Sequence, residues 1–305
     1  MKTIKAHKYA AITFVTLMAS ANIATAQIRV VATTPDLASI AREIGGNKVS
    51  VLALAKPTED PHFVDAKPSH IVTLNRADVL IEGGAELELG WLPPLLESAR
   101  NSKIAQGARG RVVASAGIRM LDVPTSFDRS KGDIHSLGNP HFLVDPDNAK
   151  IVAKNIADHF AAVDPKNAAA YRANLAAFTN NVDLKTIQWV RALAPFKGAK
   201  VVTYHKDFVY FARQFGLSII DELEPKPGIA PSPAHLARVI GAMKTQGGKV
   251  LLVQPYQNRR TAETVARQTG AKVLMMPQQP GAVSGADTYT QMMDNLVNTL
   301  AAGLR

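Results

Sequence analysis

The chain has 305 residues, 35 Lys and Arg against 25 Asp and Glu, a formal charge of +10, and no cysteine. The missing cysteine excludes disulfides, thiolate metal sites, cysteine nucleophiles and a lipid-modified cysteine. The basic residues are scattered, with no basic run and no nucleic-acid motif, so the charge reads as a solvated positive surface rather than a nucleic-acid footprint.

The start of the chain reads as a secretory signal. Lys2, Lys5 and Lys8 precede a mostly apolar run from Ala10 to Ala21, and the small-residue triplet ATA (24–26) fits a cleavage site. The apolar run is short for a bilayer span. Residues 1–26 are therefore expected to be removed, leaving Gln27 first. Losing three lysines lowers the formal charge from +10 to +7. A membrane anchor or an ordinary N-terminal helix is the less favoured reading. The expected location is the periplasm, free rather than lipid-anchored.

From Gln27 onward strand-like and helix-like segments alternate. Residues 28–34 read as a buried strand and 35–44 as a helix closed by Gly45 and Gly46. A strand over 48–54, a helix over 69–77, a strand over 78–84, a helix over 91–99 and a strand over 111–116 follow. Asp145 followed by Pro146 marks a helix start near 147, with Asp145 as N-cap. A second start falls at Asp164–Pro165. From there to Leu193 there is no internal glycine or proline, and Tyr171, Leu175, Phe178, Val182, Val190 and Leu193 fall near helical spacing. A helix of about 28 residues would be about 42 Å long, enough to join two halves of a molecule. Strands are then expected at 200–204, 217–221, 249–254 and 272–276, and helices at 232–245, 259–269 and 287–302.

The fold class is α/β, with mainly parallel sheets in two lobes joined by one long helix. The expected divisions are a signal at 1–26, an N-terminal lobe at 27–163, a linking helix at 164–195 and a C-terminal lobe at 196–305.

The chemistry centres on three loop histidines: His62 in PHFVD (61–65), His141 in NPHFLVDP (139–146) and His205 in TYHKDF (203–208). Asp287 stands in a fourth such loop. Neutral imidazoles and a carboxylate suit a closed tetrahedral Zn²⁺ site, and open α/β sheets bind ligands beyond the carboxyl ends of their strands. The bland readings stand beside this. A lone loop histidine is more often hydrogen-bonded than a ligand, and Asp287 is a good N-cap for the last helix. Glu59, Asp60 and Asp65 flank His62 as orienting groups or as solvated loop charges. His70, His159 and His235 read as structural or surface residues. His135, in GDIHSL (132–137), is left open between a metal-capturing loop residue and a bystander. No HExxH helix, phosphate-cradling loop or GxSxG elbow is present, which disfavours catalysis.

Several ordered motifs carry a resemblance: VVATTPDLA (30–38), DPH (60–62), KPS (67–69), ADVLI (77–81), NPHFLVDP (139–146), YHKDF (204–208), VQPY (253–256) and DTY (287–289). The mature chain resembles the metal-specific solute-binding proteins of bacterial ABC importers. That resemblance implies two lobes on a rigid helix, small motions on loading, a membrane permease as partner, and metal held by His62, His141, His205 and Asp287. Histidine at the third position is typical of the zinc receptors of that family, so His205 favours Zn(II), as imidazole chemistry does. The same receptor role for Mn(II) or Fe(II) is the alternative, and a zinc-dependent hydrolase is the distant third. A monomer is expected, and a periplasmic metallochaperone that loads the site is left open as a further partner. The chain departs from the resembled pattern in having only KGDIHS (131–136) where many zinc receptors carry a long His- and acid-rich loop. That puts an auxiliary metal-collecting role in doubt.

Overall fold

A computed structural model describes residues 27–124, 135–226 and 228–305. The expected signal segment lies outside them. Two four-stranded sheets, all parallel, hold the chain. The first comprises β1 (Ile28–Ala32), β2 (Val49–Ala53), β3 (Val79–Glu82) and β4 (Arg111–Val113), in the order β2-β1-β3-β4. The second comprises β5 (Lys200–Thr203), β6 (Ser218–Glu222), β7 (Val250–Val253) and β8 (Lys272–Met275), in the order β6-β5-β7-β8. Both sheets thus share one pattern, with the first strand inside and its neighbours running outward on either side. Their loops leave at the carboxyl ends, where ligands of open α/β sheets sit.

The helices are α1 (Pro35–Gly45), α2 (Pro68–Arg76), α3 (Leu92–Ala99), α4 (Pro146–Val163), α5 (Ala168–Leu193), α6 (Val209–Phe215), α7 (Pro233–Gln246), α8 (Arg259–Thr269) and α9 (Tyr289–Leu304). Pro at the first turn and a capping side chain mark several of their starts. Asp145 accepts the Asp147 N–H at 3.0 Å, the role expected for it. Helix α6 was not anticipated, because its 7 residues are too few to display a period. It ends at Gly216, whose φ of +71° closes the turn in the left-handed region.

Helix α5 spans 26 residues and is flanked by 3₁₀ turns at Pro165–Asn167 and Ala194–Phe196. Its inward stripe differs at one place from the spacing argument. Val190 is 46% exposed, and Trp189 is turned inward instead, its indole N–H donating to Asp294 at 2.8 Å. Trp189 lies seven residues after Val182, which fits two turns, whereas Val190 overshoots by about 80°.

One apolar cluster runs through both lobes. It joins Val30, Ile81 and Phe160 on the first side to Val201, Phe211 and Leu252 on the second by way of Tyr171, Phe178 and Trp189 of α5 and Leu296 of α9. Polar ties cross the junction as well. Tyr289 donates through its hydroxyl to the Leu143 carbonyl at 2.8 Å, and Tyr210 donates to the Asn139 carbonyl at 2.8 Å. Asn139 donates in turn to the Lys206 carbonyl at 2.7 Å, and Arg213 pairs with buried Asp145 at 2.9 Å. A close-packed core resists continuous deformation, and this one spans both sheets. No helix among the described residues is long and apolar enough to cross a membrane.

Candidate metal centre between the lobes

His62 lies in the loop that leaves β2, His141 in the long connection from β4 to α4, and His205 two residues after β5. Each is set by local hydrogen bonding. The Asp60 carboxylate accepts the His62 backbone N–H at 3.0 Å, and Trp91 anchors the same loop by donating to the Pro61 carbonyl at 2.9 Å. The Asn139 side-chain carbonyl accepts the His141 N–H at 3.0 Å. Both are turns closed by an Asx side chain, in which a short polar group stands in for backbone. Tyr204, just before His205, is still tied to the sheet through the Leu252 carbonyl at 2.9 Å.

The three imidazoles converge. One ring nitrogen from each of His62, His141 and His205 lies within 4.8 Å of the others. Ring centroids are 5.0 Å apart for His62 and His141, 5.2 Å for His141 and His205, and 5.6 Å for His62 and His205.

Two carboxylates stand behind them. His62 Nδ1 is 2.8 Å from Asp60 Oδ1, and His205 Nδ1 is 2.8 Å from Glu224 Oε2. An ionised carboxylate only accepts, so each Nδ1 carries the proton and each Nε2 lone pair is left to face the groove. The buried Nε2 of His141 has no hydrogen-bond partner. Such an orphan costs about 1–3 kcal/mol, and a cation in the groove would satisfy it.

Titration follows the same geometry. Burial, together with the neighbouring His62, His205 and His135, pushes His141 well below 6.5. Burial likewise lowers His135 to about 4, helped by His62 and His205. For His205 burial also acts downward, but the Glu224 hydrogen bond and the charges of Asp207, Glu224 and Asp60 outweigh it, so its pKa is raised. Burial opposes ionisation of Asp60, yet the hydrogen bonds and charge of His62 prevail and hold it below the usual carboxylate range.

The fourth expected residue, Asp287, is exposed at the head of α9 and is not part of the converging group. Its backbone N–H is held by the Gln291 side chain at 3.0 Å. Nor is it the helix cap: Thr288 caps α9 in a reciprocal box with Gln291. His135 also lies outside the converging trio, but it touches one member of it, with Nε2 3.1 Å from His62 Nε2 and ring centroids 5.2 Å apart. Glu224 gave no signal in sequence beyond an acid following a strand. The other histidines among the described residues lie outside the group, with His159 on the Arg109 carbonyl, His235 on the Glu222 carbonyl and His70 in α2.

The free space is small. A cavity of about 40 Å³ lies beside Asp60, His62, His205 and Glu224, and one of about 30 Å³ beside His141. These hold an ion or a few waters, not an organic solute. A larger groove of about 750 Å³ on the flank of the first lobe, against Leu92 and Arg111, contains none of the converging histidines.

Comparison with known proteins agrees with this architecture. A family model described as "Zinc-uptake complex component A periplasmic" matches residues 30–303. The chain belongs to that family, the substrate-binding components of metal-specific ABC importers, and is not an enzyme. It is similar to the iron ABC transporter substrate-binding lipoprotein MtsA of Streptococcus pyogenes, with 26% identity over 91% of this chain and 89% of the relative. It is also similar to the manganese ABC transporter substrate-binding lipoprotein PsaA of Streptococcus pneumoniae, with 25% identity over 91% and 89%. Among solved structures, ZnuA superposes with a TM-score of 0.76 at 23% identity, covering 92% of this chain and all of that one. The Mn-bound periplasmic metal binding protein of Candidatus Liberibacter asiaticus gives 0.75 at 21% identity, with the same coverage. The fold is therefore shared with ZnuA and with that periplasmic metal binding protein.

The carboxylates behind the imidazoles give one expectation. Asp60→Asn keeps the size of the side chain but removes the charge that orients His62, and should weaken zinc binding on the order of 10–100-fold. Titration against a chromophoric chelator reads this directly. Unchanged affinity would show that Asp60 merely solvates the loop.

Proposed function

We propose that the protein is a periplasmic receptor that captures Zn²⁺ between its lobes and delivers it to the membrane permease of an ABC importer. It acts as a monomer, with residues 1–26 removed on export and lobes at 27–163 and 196–305 joined by the helix at 164–195. The observation that carries this reading is the buried, unpartnered Nε2 of His141, facing donors from His62 and His205. Imidazole nitrogens suit zinc, whereas manganese prefers carboxylate, carbonyl and water oxygens.

Manganese or iron is the second reading, favoured by what the names of MtsA and PsaA say of those proteins. Competition of Zn²⁺ and Mn²⁺ for the apoprotein separates the two. Zinc should still fill the site when manganese is in large excess, a wider margin than the general divalent affinity order alone would give. A preference for Mn²⁺ would overturn the zinc assignment and leave the receptor role standing.

A further inference from the structure

We infer that His135 is the fourth metal donor, held in place by a clasp between Glu86 and Ser136, and that the ion is caged by four imidazoles. This rests on the reading of the groove as the metal site and names the donor that completes it.

The separation of the two Nε2 atoms of His135 and His62 is 3.1 Å. Two nitrogens at about 2.0–2.1 Å from a tetrahedral zinc stand roughly 3.3–3.4 Å apart, so the pair is already spaced as two ligands of one ion. With the His62 proton on the Asp60 side, the His135 Nε2–H donates to His62 in the ion-free protein. Binding requires that His135 carry its proton on Nδ1 instead and that its ring close on His141 and His205, which with His62 form the converging trio.

The position of His135 is built. Ser136 donates to the Glu86 carboxylate through both its backbone N–H and its hydroxyl, the latter at 2.6 Å. Glu86 in turn sits on a strained turn, with φ of +50° at Ala85 and +67° at Glu86. Residues without glycine's freedom persist there only where their surroundings hold them. The holding group is the buried Glu88 carboxylate, which accepts from the Gly83 N–H at 2.7 Å, the Gly84 N–H at 3.2 Å and the Thr33 hydroxyl at 2.6 Å. On the other side, Gly138 has φ of +106°, and a Cβ there would meet the Leu121 carbonyl oxygen at 2.9 Å. The next residue, Asn139, donates its N–H to that same carbonyl at 2.8 Å. The stretch from His135 to His141 is thus fixed at both ends, with a ring of the converging trio at one and the ring that touches His62 at the other.

Charge supports the same cage. Four neutral imidazoles leave the full 2+ of the ion, and the ionised carboxylates of Asp60 and Glu224 behind His62 and His205 balance it. A neutral, all-nitrogen set selects zinc over manganese more strongly than a set containing a carboxylate.

The test uses the full mature chain, with Zn²⁺ affinity measured by chelator competition and Co²⁺ as a spectroscopic probe. His135→Ala should weaken Zn²⁺ binding by more than the 10–100-fold that loss of an outer partner brings, and should shift the visible Co²⁺ bands. Ser136→Ala, which loosens the clasp and leaves the ring, should give a smaller loss with a partial shift. Asp287→Ala should leave both readouts as in the wild type. If Asp287→Ala abolishes tight binding while His135→Ala keeps the wild-type affinity and spectrum, the four-imidazole cage is overturned and the zinc receptor stands. A wild-type protein that binds neither ion overturns both.

Discussion

Replacing His141 with alanine should lower zinc affinity by at least about three orders of magnitude while leaving the ion-free protein as stable as before. The first part follows from coordination. First-shell binding in zinc peptides is worth on the order of 10–16 kcal/mol over all ligands, so one ligand in four represents several kcal/mol. The second part separates this histidine from an ordinary core residue. Its Nε2 is buried and unpartnered, so truncation removes an unsatisfied polar atom and offsets the lost packing. Thermal unfolding with and without zinc reads both effects. At a zinc concentration of about 100 times Kd, the wild type should gain about 2.7 kcal/mol, and His141→Ala should gain almost nothing under the same conditions. A variant that keeps stoichiometric, tight zinc binding would remove His141 from the site. One that unfolds without zinc would make it a structural residue.

Much of this arrangement is legible in the sequence, for identifiable reasons. The strands β1, β3, β5 and β7 are largely buried on both faces and read as short apolar runs. Most of the helices carry Pro at their starts or Gly just past their ends, and the long stretch before Leu193 has neither inside it and reads as one helix. The three histidines could be placed because each follows a strand or precedes a capped helix, and a sheet of parallel strands sends such loops to one edge. What stayed hidden depends on side-chain direction and on contacts across the lobes. Asp287 and Thr288 are both good caps, and only the reciprocal bond with Gln291 decides between them. Glu224 is unremarkable until β6 brings it to His205. His135 sits in a polar stretch with no period, and its place depends on the bond of its neighbour Ser136 to a glutamate 50 residues before that serine.

Acid should release the ion, and the geometry says which proton does it. Binding needs the Nε2 lone pair of each histidine, so a ligand that protonates is a ligand lost. His141 lies well below 6.5 and His135 is near 4, so both stay neutral through the mildly acidic range. His205 is different. Burial alone would depress it, but Glu224, Asp207 and Asp60 raise it above 6.5. As pH falls through that raised value, His205 takes up a proton, and affinity should then drop about tenfold per pH unit. The same shift acts with opposite sign on the ion-free protein. A folded-state pKa raised above the unfolded one contributes stability that is fully present below about 6.5 and is lost as pH rises through the folded value. Zinc affinity therefore grows toward alkaline pH over the range in which the apoprotein loses this contribution. Between pH 7.5 and 5.5 the wild type should therefore lose zinc affinity. Glu224→Gln keeps an acceptor for Nδ1 but removes the largest upward influence on His205. Its pH profile should move to lower pH, with weaker binding on the alkaline plateau. Zinc affinity measured across pH 5 to 8 for both proteins decides it, and coincident profiles would show that the His205–Glu224 pair does not govern release.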